Sequence, residues 1–301
     1  MVEWAIEARD LSKTFTGDVV AVNGLDLMVG SGTVYGLIGR NGAGKTTTLR
    51  LLLGLLRPNR GTAHVWGTDL WSAPRELRAR IAYVSQSQQL HAWMTVEELC
   101  HYASHFYENW DSDYARVLAG RWGLAWTRQV GLMSGGEQRK AAILLGLASR
   151  AEMLILDEPA AGLDPIARRE LVDELVDVLT QNDGRTVLFS THILSDLERV
   201  AEYVGVMDRG RMVASGRLDE FQTSTQRVQV IFEGQGPPPG FSIPGAVRSR
   251  SDGPVVTAVV RVLSETQLDA VRRIPGARVS IFPLGLEEIF IELFGPDAGN
   301  E

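Results

Sequence analysis

Cysteine is almost missing from this chain: Cys100 is the single one in 301 residues. That excludes an intrachain disulfide and fits a reducing compartment. Excess positive charge is missing too. The formal charge is −7 and the isoelectric point about 5.4, so no broad basic surface is expected for nucleic acid or anionic lipid. Long apolar runs are also lacking. The apolar stretch at 141–148 falls far short of the ~20 residues that cross a bilayer. The first ten residues carry Glu3, Glu7 and Asp10 and read as no secretion signal. Any role at a membrane therefore requires another chain to do the spanning.

What is present is ordinary globular composition, 45% hydrophobic and 22% charged, in a length that suits one large domain and a small one. Residues 2–9 and 19–29 are rich in apolar and β-branched side chains bounded by glycines, which predicts antiparallel strands. Residues 33–38 form an apolar run entering a glycine loop, and a helical pattern over 45–56 follows. Residues 95–130 read as helical, with Thr95 and Glu98 spaced as a capping box and Asp111 or Ser112 able to cap a second helix. Strand patterns at 153–156, 187–190 and 204–207 alternate with helical ones at 134–149 and 166–180, the latter placing Leu171, Leu175 and Leu179 on one face. The expectation is an α/β fold with a largely parallel core sheet. Polar residues 223–226 predict a joint between residues 1–222 and a small α+β domain at 227–301. That domain is expected to hold strands at 227–233, 255–262 and 277–282 and helices at 264–273 and 286–294.

Chemistry concentrates in the large domain. Gly39-Arg-Asn41-Gly42-Ala43-Gly44-Lys45-Thr46 matches the phosphate-binding P-loop pattern in full. Its glycines let backbone N–H groups face phosphate oxygens, and the helix that follows adds its positive end. Lys45 is expected at the β- and γ-phosphates of ATP and the Thr46 hydroxyl on Mg²⁺. At 153–158 an apolar strand delivers Asp157, expected to hold Mg²⁺ through water, and Glu158, expected to orient or deprotonate the attacking water. At Met133-Ser134-Gly135-Gly136-Glu137-Gln138 a Ser-capped helix start with two glycines offers a second anion-binding terminus. A possible metal pair at His101 and His105 lacks an acidic partner, and a half-buried helix face explains it better.

These segments, in this order, resemble the ABC-type ATPases. The resemblance spans residues 15–192 and includes Gln86 in Tyr-Val-Ser-Gln, Gly162-Leu-Asp164-Pro165 and Ser190-Thr-His192. It implies an ATPase domain with an antiparallel β subdomain and a helical subdomain. It also implies two chains, identical or not, packed head to tail with ATP between the P-loop of one and the Ser134 helix of the other. By that resemblance Phe15 stacks on adenine and Thr47 joins the P-loop contacts. Gln86 approaches Mg²⁺ and relays nucleotide state, while His192 touches the γ-phosphate. Ser134, Gly135, Gly136, Glu137 and Asp164 lie at the seam.

A permease would be the membrane-spanning partner, with this chain at the cytoplasmic face of the cell membrane. The helix at 284–294 and the segments at 106–111 and 191–198 resemble exporter ATPases acting on drugs, antibiotics or cell-envelope compounds. A single ATPase module, with no heptad run between Lys45 and Ser134, argues against ribosome-acting and DNA-linking relatives. Glu158 and His192 argue against a mere ATP sensor.

Overall fold

The computed structural model describes residues 3–87, 89–180, 184–233, 236–261 and 265–294. The chain divides into two compact units, Met1–Ser215 and Gly216–Glu301. In the first, β1 (Trp4–Phe15), β2 (Val19–Gly30), β3 (Val34–Gly39), α1 (Lys45–Leu52), β4 (Arg60–Val65), α2 (Arg75–Arg78) and β5 (Ile81–Val84) come in order. Next come α3 (Val96–Ser104), α4 (Ser112–Arg121), α5 (Gly135–Ala148), β6 (Met153–Asp157), α6 (Pro165–Thr180) and β7 (Thr186–Thr191). After them, α7 (Leu194–Leu197), β8 (Tyr203–Asp208) and β9 (Arg211–Arg217) reach the boundary.

Six strands form the core sheet in the order β5-β6-β7-β3-β8-β9. The pairs β5–β6, β6–β7, β7–β3 and β3–β8 are all parallel, as the strand–helix alternation predicted. Every residue of β3, β6 and β7 is buried, which is why these strands read as continuous apolar runs. A separate antiparallel sheet, β2-β1-β4, buries Ile6, Ala8, Leu11, Leu25, Leu27 and Val29. It is tied to the core sheet through the Arg209-Gly210 turn, both of whose residues have positive φ. There Gly210 N–H donates to Ala43 O at 3.0 Å, and Gly210 O accepts from Asn23 N–H at 2.8 Å.

Helices α3 and α4 begin where side chains supply caps. Thr95 Oγ1 accepts from Glu98 N at 3.1 Å while Glu98 Oε2 accepts from Thr95 N at 2.8 Å, the expected reciprocal box. Asp111, not Ser112, caps α4 by accepting from Tyr114 N at 2.9 Å. On α6, Leu171 and Leu175 are buried, and the Leu179 side chain lies outside the described residues. Cys100 on α3 is buried, and desolvation pushes its thiol up to about 12. Because the thiolate is the nucleophile, Cys100 is expected to resist iodoacetamide at pH 8 in folded protein and to react once denatured, as mass spectrometry would read.

In the second unit, α8 (Leu218–Ser224), β10 (Thr225–Phe232), β11 (Ala246–Asp252), β12 (Val255–Arg261), α9 (Glu265–Arg272), β13 (Ala277–Pro283) and α10 (Leu286–Phe294) follow. Its antiparallel sheet runs β11-β12-β10-β13. Val228, Val230, Val256, Ala258 and Val260 cluster with Val271 of α9, while Val259 clusters with Leu284 and Ile289. The polar joint expected at 223–226 is instead regular structure. Helix α8 passes directly into β10, with Leu218, Phe221 and Thr225 buried. The compact units therefore meet earlier, between Ser215 and Gly216. Residues 262–264 and 295–301, within the expected strand, helix and domain limits, lie outside the described residues.

Candidate nucleotide site

Strand β3 runs into Gly39–Thr46, and the backbone there needs its glycines. A Cβ at Gly39 would stand 2.6 Å from Met207 O, and one at Gly44, where φ is +102°, 2.3 Å from Ala21 O. Gly44 is the N-cap of α1 and offers no side-chain cap, and no acidic residue occupies the first turn. The first N–H groups of α1 are thus left for an anion. Ala43 is buried in a core cluster with Leu37, Leu49 and Met207, which anchors the loop. Lys45 Nζ folds back to donate to Gly39 O at 2.6 Å and Arg40 O at 3.3 Å.

The two acids at the end of β6 meet this loop. Asp157, fully buried, accepts at Oδ1 from Thr46 Oγ1 at 3.0 Å and from Ser190 Oγ at 2.7 Å. Tyr83 O–H reaches Asp157 Oδ2 at 3.4 Å, and burial raises the Tyr83 phenol. Glu158 sits with φ of +48°, a left-handed conformation that costs a non-glycine residue about 1–3 kcal/mol. Its N–H donates to Ser190 O at 3.1 Å and Ser190 Oγ at 3.0 Å. Its carboxylate lies between Lys45 Nζ, 2.9 Å from Oε1, and His192 Nδ1, 2.8 Å from Oε2. The Lys45 contact is an ion pair without hydrogen-bond alignment, since buried Oε1 has no hydrogen-bond partner. The tautomer that suits the His192 contact carries its proton on Nδ1.

Lys45, Thr46, Asp157, Glu158 and His192 are therefore brought together. Phe15 is 40% exposed, not a core aromatic. It pairs with Val19, two residues from Ala21, whose carbonyl abuts Gly44, and Lys13 Nζ lies over its ring, 5.6 Å from the centroid. Gln86 is exposed, and its carbonyl accepts from Arg139 Nη1 at 3.4 Å.

The seam residues form a second cluster. Ser134 N–H donates to Glu137 Oε2 at 2.7 Å and Ser134 Oγ accepts from Glu137 N at 3.3 Å. The Ser134 backbone N–H holds the Glu137 carboxyl below its usual range. Gly135 has nothing within 4 Å of a built Cβ, and Gly136 approaches only Leu163 Cδ2, at 4.0 Å. The Asp164 turn thus lies against the start of α5. Asp164 itself caps α6, accepting from Ile166 N at 2.9 Å and Ala167 N at 3.0 Å. Beside these residues Leu132 and Ile166 are 66% and 73% exposed.

Two side chains of the site escaped sequence reasoning. Ser190 shapes both acids, and only its place beside His192 hinted at that. Arg139 donates to the carbonyls of Ser85, Gln86, Asp157, Glu158 and Pro159. A lone arginine ahead of the apolar run in α5 was the available signal. Burial lowers the Arg139 guanidinium from its ordinary value.

Residues 22–161 match the ABC transporter family. The chain is 34% identical over 298 residues to the Nod factor export ATP-binding protein I of Cupriavidus pinatubonensis (strain JMP 134 / LMG 1197), covering 96% of this chain and 90% of that relative. This chain belongs to the ABC transporter ATP-binding family. It is also 38% identical over 228 residues to the daunorubicin/doxorubicin resistance ATP-binding protein DrrA of Streptomyces peucetius, covering 73% of this chain and 67% of DrrA. Its fold is that of an ATP-binding cassette solved as a dimer in a post-hydrolysis state with ADP and Pi. The TM-score is 0.63 at 21% identity, over 71% of this chain and 98% of that one. The chain is thus an ATP-binding, ATP-hydrolysing subunit, and among its described residues no helix is long and apolar enough to cross a membrane.

Proposed function

We propose that this ATPase energises export through a separate integral membrane permease. In this reading it acts as a dimer, of two such chains or of this chain with a related one, at the cytoplasmic face of the cell membrane. The observation that carries the reading is the division of the site. Lys45, Thr46, Asp157, Glu158 and His192 converge in one chain, while Ser134 and Gly135 face solvent beside Asp164 and the exposed Leu132 and Ile166. A second copy turned head to tail covers that apolar rim and places its Ser134–Glu137 terminus over the phosphates. Export, and a cargo of drug, antibiotic or cell-envelope type, is supported by relatives named for Nod factor export and daunorubicin/doxorubicin resistance.

The P-loop N–H groups of residues 42–47 and Lys45 bind the phosphates, and Phe15 stacks on adenine. The pair Thr46 Oγ1 and Asp157 Oδ1 is a hard oxygen donor set of the kind Mg²⁺ takes, and the Gln86 side chain would join it. Mg²⁺ bound there supplies charge neutralisation at the β- and γ-phosphates. Glu158 orients a water and accepts its proton as the water oxygen attacks the γ-phosphorus and the bond to ADP breaks. His192 holds Glu158 and contacts the γ-phosphate. Lys45 exchanges its Glu158 partner for phosphate when ATP binds, which frees the carboxylate for water.

A groove of about 400 Å³ lined by Tyr83, Leu90, Leu99, Tyr102, Phe106 and Leu145, among others, separates the core sheet from the helical segment. Trp93, 66% exposed, and Met94 line a neighbouring depression with Tyr102 and Phe106. Together they offer an apolar seat for a permease helix. Trp93→Ala is expected to lower transport at least tenfold with basal ATP turnover unchanged, measured in reconstituted vesicles. Equal loss of both activities would contradict the docking role. The function as a whole is tested by ATP turnover together with copurification of an integral membrane protein. Turnover without any such partner would contradict it.

A further inference from the structure

Five backbone carbonyls converge on the Arg139 side chain. Nε donates to Pro159 O at 3.1 Å, and Nη2 to Asp157 O at 2.8 Å and Glu158 O at 2.9 Å, at the end of β6 and in the turn that follows. Nη1 donates to Ser85 O and Gln86 O, in the loop after β5. Arginine alone carries a planar fork with enough N–H donors to serve two segments at once. Arg139 is 9% exposed, so removing its donors would strip hydrogen bonds from carbonyls in a poorly hydrated place; Glu158 O would keep only its bond from Ala161 N at 3.0 Å. One of those carbonyls belongs to Glu158, whose φ of +48° persists only while its surroundings hold it. Ser190 secures its N–H from one side, and Arg139 its carbonyl from the other.

The Gln86 loop also leads into the groove. Gln89 and Leu90 line it, as do Ala142 and Gly146 of α5. An element seated there presses on the loop whose carbonyls Arg139 grips.

We propose that Arg139 is a positioning residue that ties the Gln86 loop to the Glu158 turn, so that displacement of the loop is felt at the Glu158 carboxylate. The proposal rests on the reading of Glu158 as the group that activates water. Arg139 touches no substrate; it acts through the backbones it holds.

The test compares Arg139→Met and Arg139→Lys with Glu158→Gln in the full-length chain. Turnover, affinity for a fluorescent ATP analogue and amide hydrogen exchange are read for each. Arg139→Met is expected to lower kcat at least 30-fold (about 2 kcal/mol of transition-state stabilisation) with nucleotide Kd within threefold. Arg139→Lys keeps the charge and some donors, and recovers part of that loss. Exchange should speed at residues 85–89 and at 157–161 together. Wild-type kcat in a folded Arg139→Met chain, or faster exchange in only one segment, overturns the proposal. Should neither Arg139 variant fold, exchange in the wild-type chain decides. The two segments must respond together to a non-hydrolysable ATP analogue, and independent responses overturn the coupling. Near wild-type turnover by Glu158→Gln would sink the Glu158 reading instead, which keeps the two failures apart.

Discussion

Glu158→Gln is expected to lower ATP turnover by ~10²–10⁴-fold, the usual worth of a general base, while nucleotide still binds. Gln keeps the shape and the left-handed backbone but accepts no proton from water. The contacts proposed for Lys45, Thr46 and Asp157 with nucleotide do not depend on that carboxylate. Lys45 loses its charged partner at 2.9 Å and becomes more available to phosphate. The bound state therefore persists, and by mass action ATP raises the melting temperature more in the variant than in the wild-type chain. Coupled-enzyme turnover and thermal unfolding with Mg-ATP are the measurements. Unchanged turnover would remove Glu158 from the reaction.

Lys45→Met is expected to abolish nucleotide binding and also to destabilise the protein when no nucleotide is present. Lys45 and Glu158 have side chains only 6% and 5% exposed. Removing one member of a buried pair leaves an uncompensated charge and typically costs about 3–5 kcal/mol. His192, 2.8 Å from Glu158 Oε2 and partly exposed, offsets some of this. For a unit of this size the melting temperature should fall on the order of 10 °C. The double variant Lys45→Met/Glu158→Gln carries no stranded carboxylate, so it should recover most of the loss. That non-additivity is the signature of direct coupling. Additive effects of the two substitutions would mean that the ion pair does not form in solution.

The residues that cluster at the P-loop stood out in the sequence because their patterns are local. A glycine loop, an apolar strand ending in acids and a Ser-capped helix start each announce themselves over six to eight positions. Strands β3, β6, β7 and β8 were legible for a similar reason: strands buried on both faces, such as β6, are uninterrupted apolar runs, whereas the four-residue β5 was not read. Strands β4 and β11 were not legible. Arg60-Gly-Thr-Ala-His-Val65 has one fully buried residue, and Ala246-Val-Arg-Ser-Arg-Ser-Asp252 none. Their pairing with β1 and β12 is set by the neighbouring strands, not by their own apolar content. The regular structure at 223–226 was not legible for a related reason. Thr223 to Gln226 is polar by composition, yet Thr225 is fully buried at the start of β10. Arg139 is the clearest case of information held only in space, since its partners are backbone atoms of residues 85, 86 and 157–159. No side-chain pattern in the sequence encodes them.

Light scattering of the Glu158→Gln chain with and without Mg-ATP, beside the same chain carrying Ser134→Arg, tests the shared ATP site most directly. Glu158→Gln should be monomeric alone and dimeric in saturating Mg-ATP, because in the proposed assembly the γ-phosphate bonds to Lys45 of one chain and Ser134 of the other. Adding Ser134→Arg should keep nucleotide binding but block the dimer, since the bulky cation sits only on the opposing surface. A Glu158→Gln chain that stays monomeric in saturating Mg-ATP, or a Ser134→Arg chain that dimerises as readily as its parent, would contradict it.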